Sequence, residues 1–263
     1  MLSQVRSQEG GLELVASLEP SISDSVALLH LAYFKADQMI SNGDYRGAIE
    51  NLLSIVRKTG NPLYYESCFR LGSAYYMEGI YDSAAYYFQI ASNIDDQSLS
   101  RHALFNAALC YESEGQPEKA FENFLKCATG FPFDEQFERS LLRSAFALEE
   151  LGRFEEATKV YKALIRYSRS RETRAEAQYW FAQCFAKSGK HQRAVVEHLR
   201  NLYLFGDQEA WAATSAFEAG MECEVLGWNE EAITIYKIIA ARYDKSTDWG
   251  RASRIRLRSL GEK

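Results

Sequence analysis

Proline is scarce, 4 in 263 residues, so little in the chain interrupts long helices. Cysteines number five, Cys68, Cys110, Cys127, Cys184 and Cys223, and no two stand in a C-x-x-C spacing. An odd count on apolar helical faces excludes a disulfide framework and a zinc site, and leaves small hydrophobic core thiols. Unpaired thiols suit a reducing compartment. No run reaches the roughly 18 apolar residues of a membrane span, and Met1–Gly11 has neither a leader's apolar core nor a lipidation cysteine. These absences favour the cytoplasm, while a trimmed exported chain would place the protein in the periplasm. An excess of basic charge is missing too: 30 Lys and Arg against 36 Asp and Glu, a net charge of −6. That argues against a sequence-blind nucleic-acid binder.

The chemistry-bearing motifs are absent as well. There is no H-E-x-x-H, no G-x-S-x-G and no G-x-G-x-x-G after a strand. Ser188-Gly189-Lys190 ends like a phosphate loop, but Cys184 stands where the loop's first glycine is required. His30, His102, His191 and His198 are scattered, without the spacing of a metal or catalytic set. Glu149/Glu150 and Glu155/Glu156 read as solvated helix ends, the second pair placed well for the positive end of the following helix. Arg166, Arg169, Arg171 and Arg174, and Arg251, Arg254, Arg256 and Arg258, have acids close by in sequence, which points to solvated faces or internal ion pairs. The chain is therefore expected to be neither an enzyme nor a cofactor carrier.

What is present is a beat. A glycine followed five residues later by an alanine recurs as Gly43/Ala48, Gly79/Ala84, Gly115/Ala120, Gly152/Ala157, Gly189/Ala194 and Gly227/Ala232. Successive alanines lie 36, 36, 37, 37 and 38 residues apart, a period that means stacked supersecondary units. Each unit reads as helix A, a tight glycine turn and helix B, the glycine taking the left-handed conformation that closes helix A. Residues 1–24 read as an N-terminal cap or the remnant of an earlier repeat, 25–246 as six repeats and 247–263 as a C-terminal capping helix, with no linker between them. Seven residues before each turn glycine the chain is small: Ala36, Gly72, Ala108, Ala145, Ala182 and Gly220. Nine residues after it stand Leu52, Phe88, Phe124, Tyr161, His198 and Tyr236. Small and large columns at fixed offsets predict closely packed helix pairs. On the last helix, Trp249, Ala252, Ile255 and Leu260 are expected to face inward, with Arg251, Arg254 and Arg258 in solvent.

Leu71, Gly72, Tyr75, Gly79, Tyr81, Ala84, Phe88 and Ala91 resemble the tetratricopeptide repeat, TPR, position by position. The third copy keeps Ala108, Tyr111, Gly115, Ala120, Phe124 and Pro132, and the fourth Ala145, Gly152, Phe154, Ala157 and Tyr161. The first, fifth and sixth are degenerate, with Leu52, His198 and Asn229 at consensus positions. The resemblance spans about residues 25–245 and implies an all-α, right-handed α–α superhelical solenoid of about six helix pairs plus the capping helix. The phrases Ile165-Arg-Tyr-Ser-Arg-Ser170 and Ala241-Arg-Tyr-Asp-Lys-Ser246 further resemble bacterial TPR proteins of envelope assembly, among them outer-membrane assembly lipoproteins and Tol–Pal-associated proteins.

In such arrays the A helices line a groove. The column ten before each glycine is Tyr33, Phe69, Phe105, Leu142, Tyr179 and Phe217, and the next is Phe34, Arg70, Asn106, Arg143, Trp180 and Glu218. Rings with isolated charges suit an amphipathic helix or an extended peptide, so Tyr33, Phe69, Arg70, Phe105, Asn106, Leu142, Arg143, Tyr179, Trp180 and Phe217 form the candidate partner-binding groove. The competing expectation is that tight packing buries this column as core. The lysine and asparagine pattern of chaperone-tail-binding TPRs is not matched. The expected function is a non-catalytic scaffold or adaptor for protein or peptide partners, a module of a larger bacterial assembly. The alternatives are a self-associating structural element, a homo-oligomer, and a receptor for a small molecule or lipid.

Overall fold

The computed structural model describes residues 24–58, 60–129, 134–243 and 246–261. Apart from Asp24, the cap or worn repeat expected over residues 1–24 lies outside them. The described residues form thirteen helices and no strand. They run as A/B pairs: α1 (Ser25–Ser41) with α2 (Tyr45–Val56), α3 (Tyr64–Met77) with α4 (Tyr81–Ala91), and α5 (Gln97–Ser113) with α6 (Pro117–Ala128). Then come α7 (Glu135–Glu150) with α8 (Phe154–Tyr167), α9 (Arg171–Lys187) with α10 (His191–Leu204), α11 (Glu209–Val225) with α12 (Asn229–Arg242), and finally α13 (Asp248–Ser259). Contacts group the chain into two compact units, Met1–Gly130 and Phe131–Lys263, although no change of composition marks the division. The first holds the first three pairs, the second the last three and α13.

Every turn glycine has a positive φ, from 63° at Gly115 to 80° at Gly43. In the second repeat the N–H of Ile80 donates to the carbonyl of Tyr75 at 2.9 Å and that of Gly79 to Tyr76 at 3.0 Å. The same two bonds recur at each turn. They satisfy carbonyls that helix A would otherwise leave open at its end. Where the sequence offers an N-cap it is used: Asp24, Asp44, Asp96, Asp134, Ser170 and Thr247 each accept a backbone N–H in the following turn.

The small and large columns meet within each pair. Ala36, Ala108, Ala145 and Ala182 have no exposed surface, and Leu52, Phe88, Phe124, Tyr161, His198 and Tyr236 are all buried. At two positions glycine is required by the approach: a Cβ on Gly72 would lie 2.7 Å from Phe88 Cδ1, and one on Gly220 2.6 Å from Tyr236 Cε1. All five cysteines are buried and none forms a disulfide. Burial pushes the Cys68 thiol up to about 11 and Cys110 to about 12, so these thiols are inert packing groups.

The last helix sits differently from its expected register. Trp249, Leu257 and Leu260 pack on the core around Tyr236 and Tyr243, whereas Ile255 is 59% exposed. Arg254 is not solvated: its guanidinium donates to the carbonyls of Gly250, Ala240 and Tyr243, so it caps the end of α12. That capping fixes the rotation of α13 and turns Ile255 outward.

Candidate functional site

The ten-before column is neither surface nor core. Tyr33, Phe69, Phe105, Leu142, Tyr179 and Phe217 are all half-buried. The reason is a repeated pairing, in which the ring ten before the glycine lies against the residue nine after it. Phe69 meets Phe88 edge-on at 5.4 Å between centroids, and Phe105 meets Phe124 at 5.3 Å. Tyr179 meets His198 at 5.6 Å and Phe217 meets Tyr236 at 5.5 Å. One edge of each ring therefore belongs to the packing of its pair and the other to the A-helix face.

In the first unit, the A-helix face is tied together by Arg70. Its guanidinium pairs with Asp37 at 2.9 Å and donates to Tyr33 Oη at 3.3 Å, linking α1 to α3. Between α3 and α5 lies a small cavity of about 170 Å³ lined by Ser73, Tyr76, Met77, Phe88, Asn106 and Leu109. Tyr76 is 37% and Met77 55% exposed, so this cavity is mostly apolar and open on one side. Its volume is below the roughly 300–1,000 Å³ of small-molecule sites and suits a single large side chain. Tyr76 and Met77 were not singled out in the sequence. They sit three and two residues before Gly79, and only the rotation of α3 shows that they border the same cavity as Asn106.

In the second unit the face is more strongly polar. Trp180 is packed edge-on by Phe146 and by Tyr179, each at 4.9 Å, and Lys187 stands 5.7 Å over its ring. Tyr179 also lies 5.6 Å from Trp211. Glu149 is not the solvated helix end expected of it. It is 8% exposed, accepts from Tyr161 Oη at 2.5 Å and pairs with Lys187 of the next repeat at 2.5 Å. Glu224 repeats the motif, accepting from Tyr236 Oη at 2.6 Å with Arg256 of α13 3.7 Å away. Each Glu stands three before the glycine and each Tyr nine after, so the bond follows from the register. Leu142 and Trp180 are half-buried and Arg143 is exposed. Glu176 and Glu218 are half-buried on this face, and burial raises both carboxyls above their ordinary value.

His198 takes an aromatic position in the fifth repeat with no partner for either ring nitrogen. Alanine stands at 186, where repeats four and six carry Glu149 and Glu224. Full burial without a partner pulls its pKa down to about 3, so it is neutral. Two of the four arginines near residue 170 are spent internally: Arg171 grips Asp207 through two bonds of 2.6 and 2.8 Å, and Arg174 donates to the carbonyl of Ile165. Arg166 and Arg169 are exposed. Among the described residues no group of three or more metal-ligating side chains forms, and no helix is long and apolar enough to cross a membrane.

Sequence profiles described as tetratricopeptide repeat match residues 36–98 and 142–213, and a second such profile matches 102–129. No curated protein matches the sequence. Among solved structures, the C-terminal part of a TPR repeat-containing protein from Cytophaga hutchinsonii aligns with a TM-score of 0.71 at 12% identity, over 94% of this chain and 94% of that one. The apo form of RapI aligns at 0.66 and 15% identity, over 99% and 78%. The apo form of the quorum sensor NprR from B. thuringiensis aligns at 0.53 and 18%, over 100% and 78%. At these identities the likeness is one of fold.

Proposed function

Because this chain belongs to the tetratricopeptide repeat family, we propose that it is a non-catalytic scaffold that holds protein or peptide partners on its A-helix face. The observation that carries this reading is the ring column. At six equivalent positions a large apolar side chain shares itself between its own helix pair and the A-helix face. Half-exposed rings lose little freedom on binding and contribute much contact area, which is why such side chains dominate interface energetics. The cavity bordered by Tyr76 and Met77 takes one apolar anchor of a partner. In the first unit Tyr33, Phe69, Arg70, Phe105 and Asn106 supply the surface around it. In the second, Leu142, Arg143, Tyr179, Trp180 and Phe217 present a ring-lined surface of their own. The phrase repeated at 165–170 and 241–246 supports membership of a larger bacterial assembly of the envelope type.

The test uses the exposed positions, since Phe69 and Phe105 also support their helix pairs. Partners captured from the source organism are quantified with the native chain and with Tyr76→Ala/Met77→Ala, alongside thermal melts. Loss of a captured partner at unchanged melting temperature supports the reading. Equal capture by both proteins refutes it.

A further inference from the structure

The second unit carries a further surface on its B helices. A groove of about 500 Å³ runs between α10 and α12, with Val195, Leu199 and Ile235 along its sides and the end of α11 at its floor. Of its lining residues, Ile238 is 50% and Trp228 38% exposed. Aliphatic side chains grouped around a tryptophan are the composition of an interface rather than of ordinary surface.

The neighbouring repeats supply an internal control. Four residues before its glycine the fifth repeat has Phe185, and the sixth has Cys223. Phe185 fills its place and is covered by the Arg193 guanidinium 5.2 Å above the ring. Cys223 is too small to fill the same place, and Glu231 stands at the position of Arg193. Position one after the glycine changes from Lys190 to Trp228, and position eleven from Arg200 to Ile238. The groove one repeat earlier, about 440 Å³, is lined by charge, including Arg153, Glu155, Glu156, Lys159 and Lys190. Between repeats five and six the groove keeps nearly the same volume, but its walls become apolar and its only charged lining residues are acids, Glu230 and Glu231. Both carboxylates are exposed, and among the described residues the groove is lined by no cation.

We propose that the groove between α10 and α12 docks an amphipathic helix of a protein partner whose apolar anchors are flanked by lysine or arginine. Two roughly parallel ridges of side chains accept a third helix in the groove between them. These acids select a basic flank by charge complementarity. This site is independent of the A-helix face, so either can fail without the other.

Fluorescein-labelled helical peptides with leucine at i, i+4 and i+7 and lysines on the flanking turns are titrated against the full chain by anisotropy. Glutamate-flanked peptides serve as comparison. The lysine peptide is expected to bind at least tenfold more tightly than its glutamate counterpart. Ile238→Asp and Glu230→Lys/Glu231→Lys are each expected to weaken it at least tenfold, with Tyr76→Ala/Met77→Ala unchanged. The double lysine variant alters only exposed positions and stays informative if Ile238→Asp lowers the melting temperature. Equal affinity for both peptides, no binding, or loss only in the Tyr76/Met77 variant overturns the proposal. So does a concentration-dependent dimer in sedimentation that Ile238→Asp abolishes, since the groove then belongs to a second copy of the chain.

Discussion

Gly72→Ala inverts an ordinary rule. At a permissive helix position this change stabilises by about 1 kcal/mol, because alanine has the better helix propensity. Here the new methyl would lie 2.7, 2.8 and 2.9 Å from Cδ1, Cγ and Cε1 of Phe88. Phe88 is 2% exposed and Phe69 sits edge-on against it at 5.4 Å, so the ring can yield only toward the small cavity it borders with Tyr76 and Met77. Overpacking of this kind costs about 1–3 kcal/mol. That outlet keeps the cost near the low end, so the propensity gain is cancelled or exceeded. The expected net effect is a destabilisation of up to about 1 kcal/mol, read from urea unfolding followed by circular dichroism at 222 nm. The first repeat, which pairs Ala36 with Leu52, shows the remedy. Gly72→Ala with Phe88→Leu should cost less than the sum of the two single changes, a coupling of about 1 kcal/mol. A stabilised Gly72→Ala protein, or strict additivity in the double variant, would refute the argument that glycine is there for the ring.

Other outcomes follow from buried polar groups. Glu149→Ala strands Tyr161 Oη in the core and removes the partner of Lys187, and should cost about 2–3 kcal/mol in urea unfolding. Lys187→Ala, whose side chain is 46% exposed, should cost clearly less. His198 titrates near 3 when folded, against an ordinary value of 6.5. The unfolded chain therefore binds a proton from about pH 6.5 downward while the folded chain does not. Stability should fall with acidification through that window, by up to about 1.4 kcal/mol per pH unit. His198→Phe, which copies Phe88 and Phe124, should remove this component and stabilise the chain at pH 5; an unchanged pH profile in the variant would show that the histidine finds a partner.

Most of the fold was legible because it depends on local rules repeated in phase. A glycine that must take a positive φ, an alanine five residues on and a small residue seven before are visible without knowing any distance. The ring column was legible as a column, but its division between packing and surface was not. That division depends on a rotation of each A helix that a period of 36 to 38 residues leaves open. Glu149 shows the same limit from the other side. Adjacent Glu149 and Glu150 look alike in sequence, yet one meets Tyr161 and Lys187 in the interior and the other is exposed. Ile255, expected inward, faces out because Arg254 anchors α13 to carbonyls at the end of α12, a long-range bond no helical pattern announces. Likewise, the apolar groove beside Cys223 stands out only against the charged groove one repeat earlier.

The most direct test of the scaffold reading is site-specific photo-crosslinking in the source organism. A benzophenone amino acid is placed at Met77, on the A helix α3, and separately at Glu122, an exposed position on the B helix α6 of the same unit. The account predicts a discrete crosslinked protein partner from position 77 that is absent from position 122. The same product from both positions, or none from position 77, would contradict it.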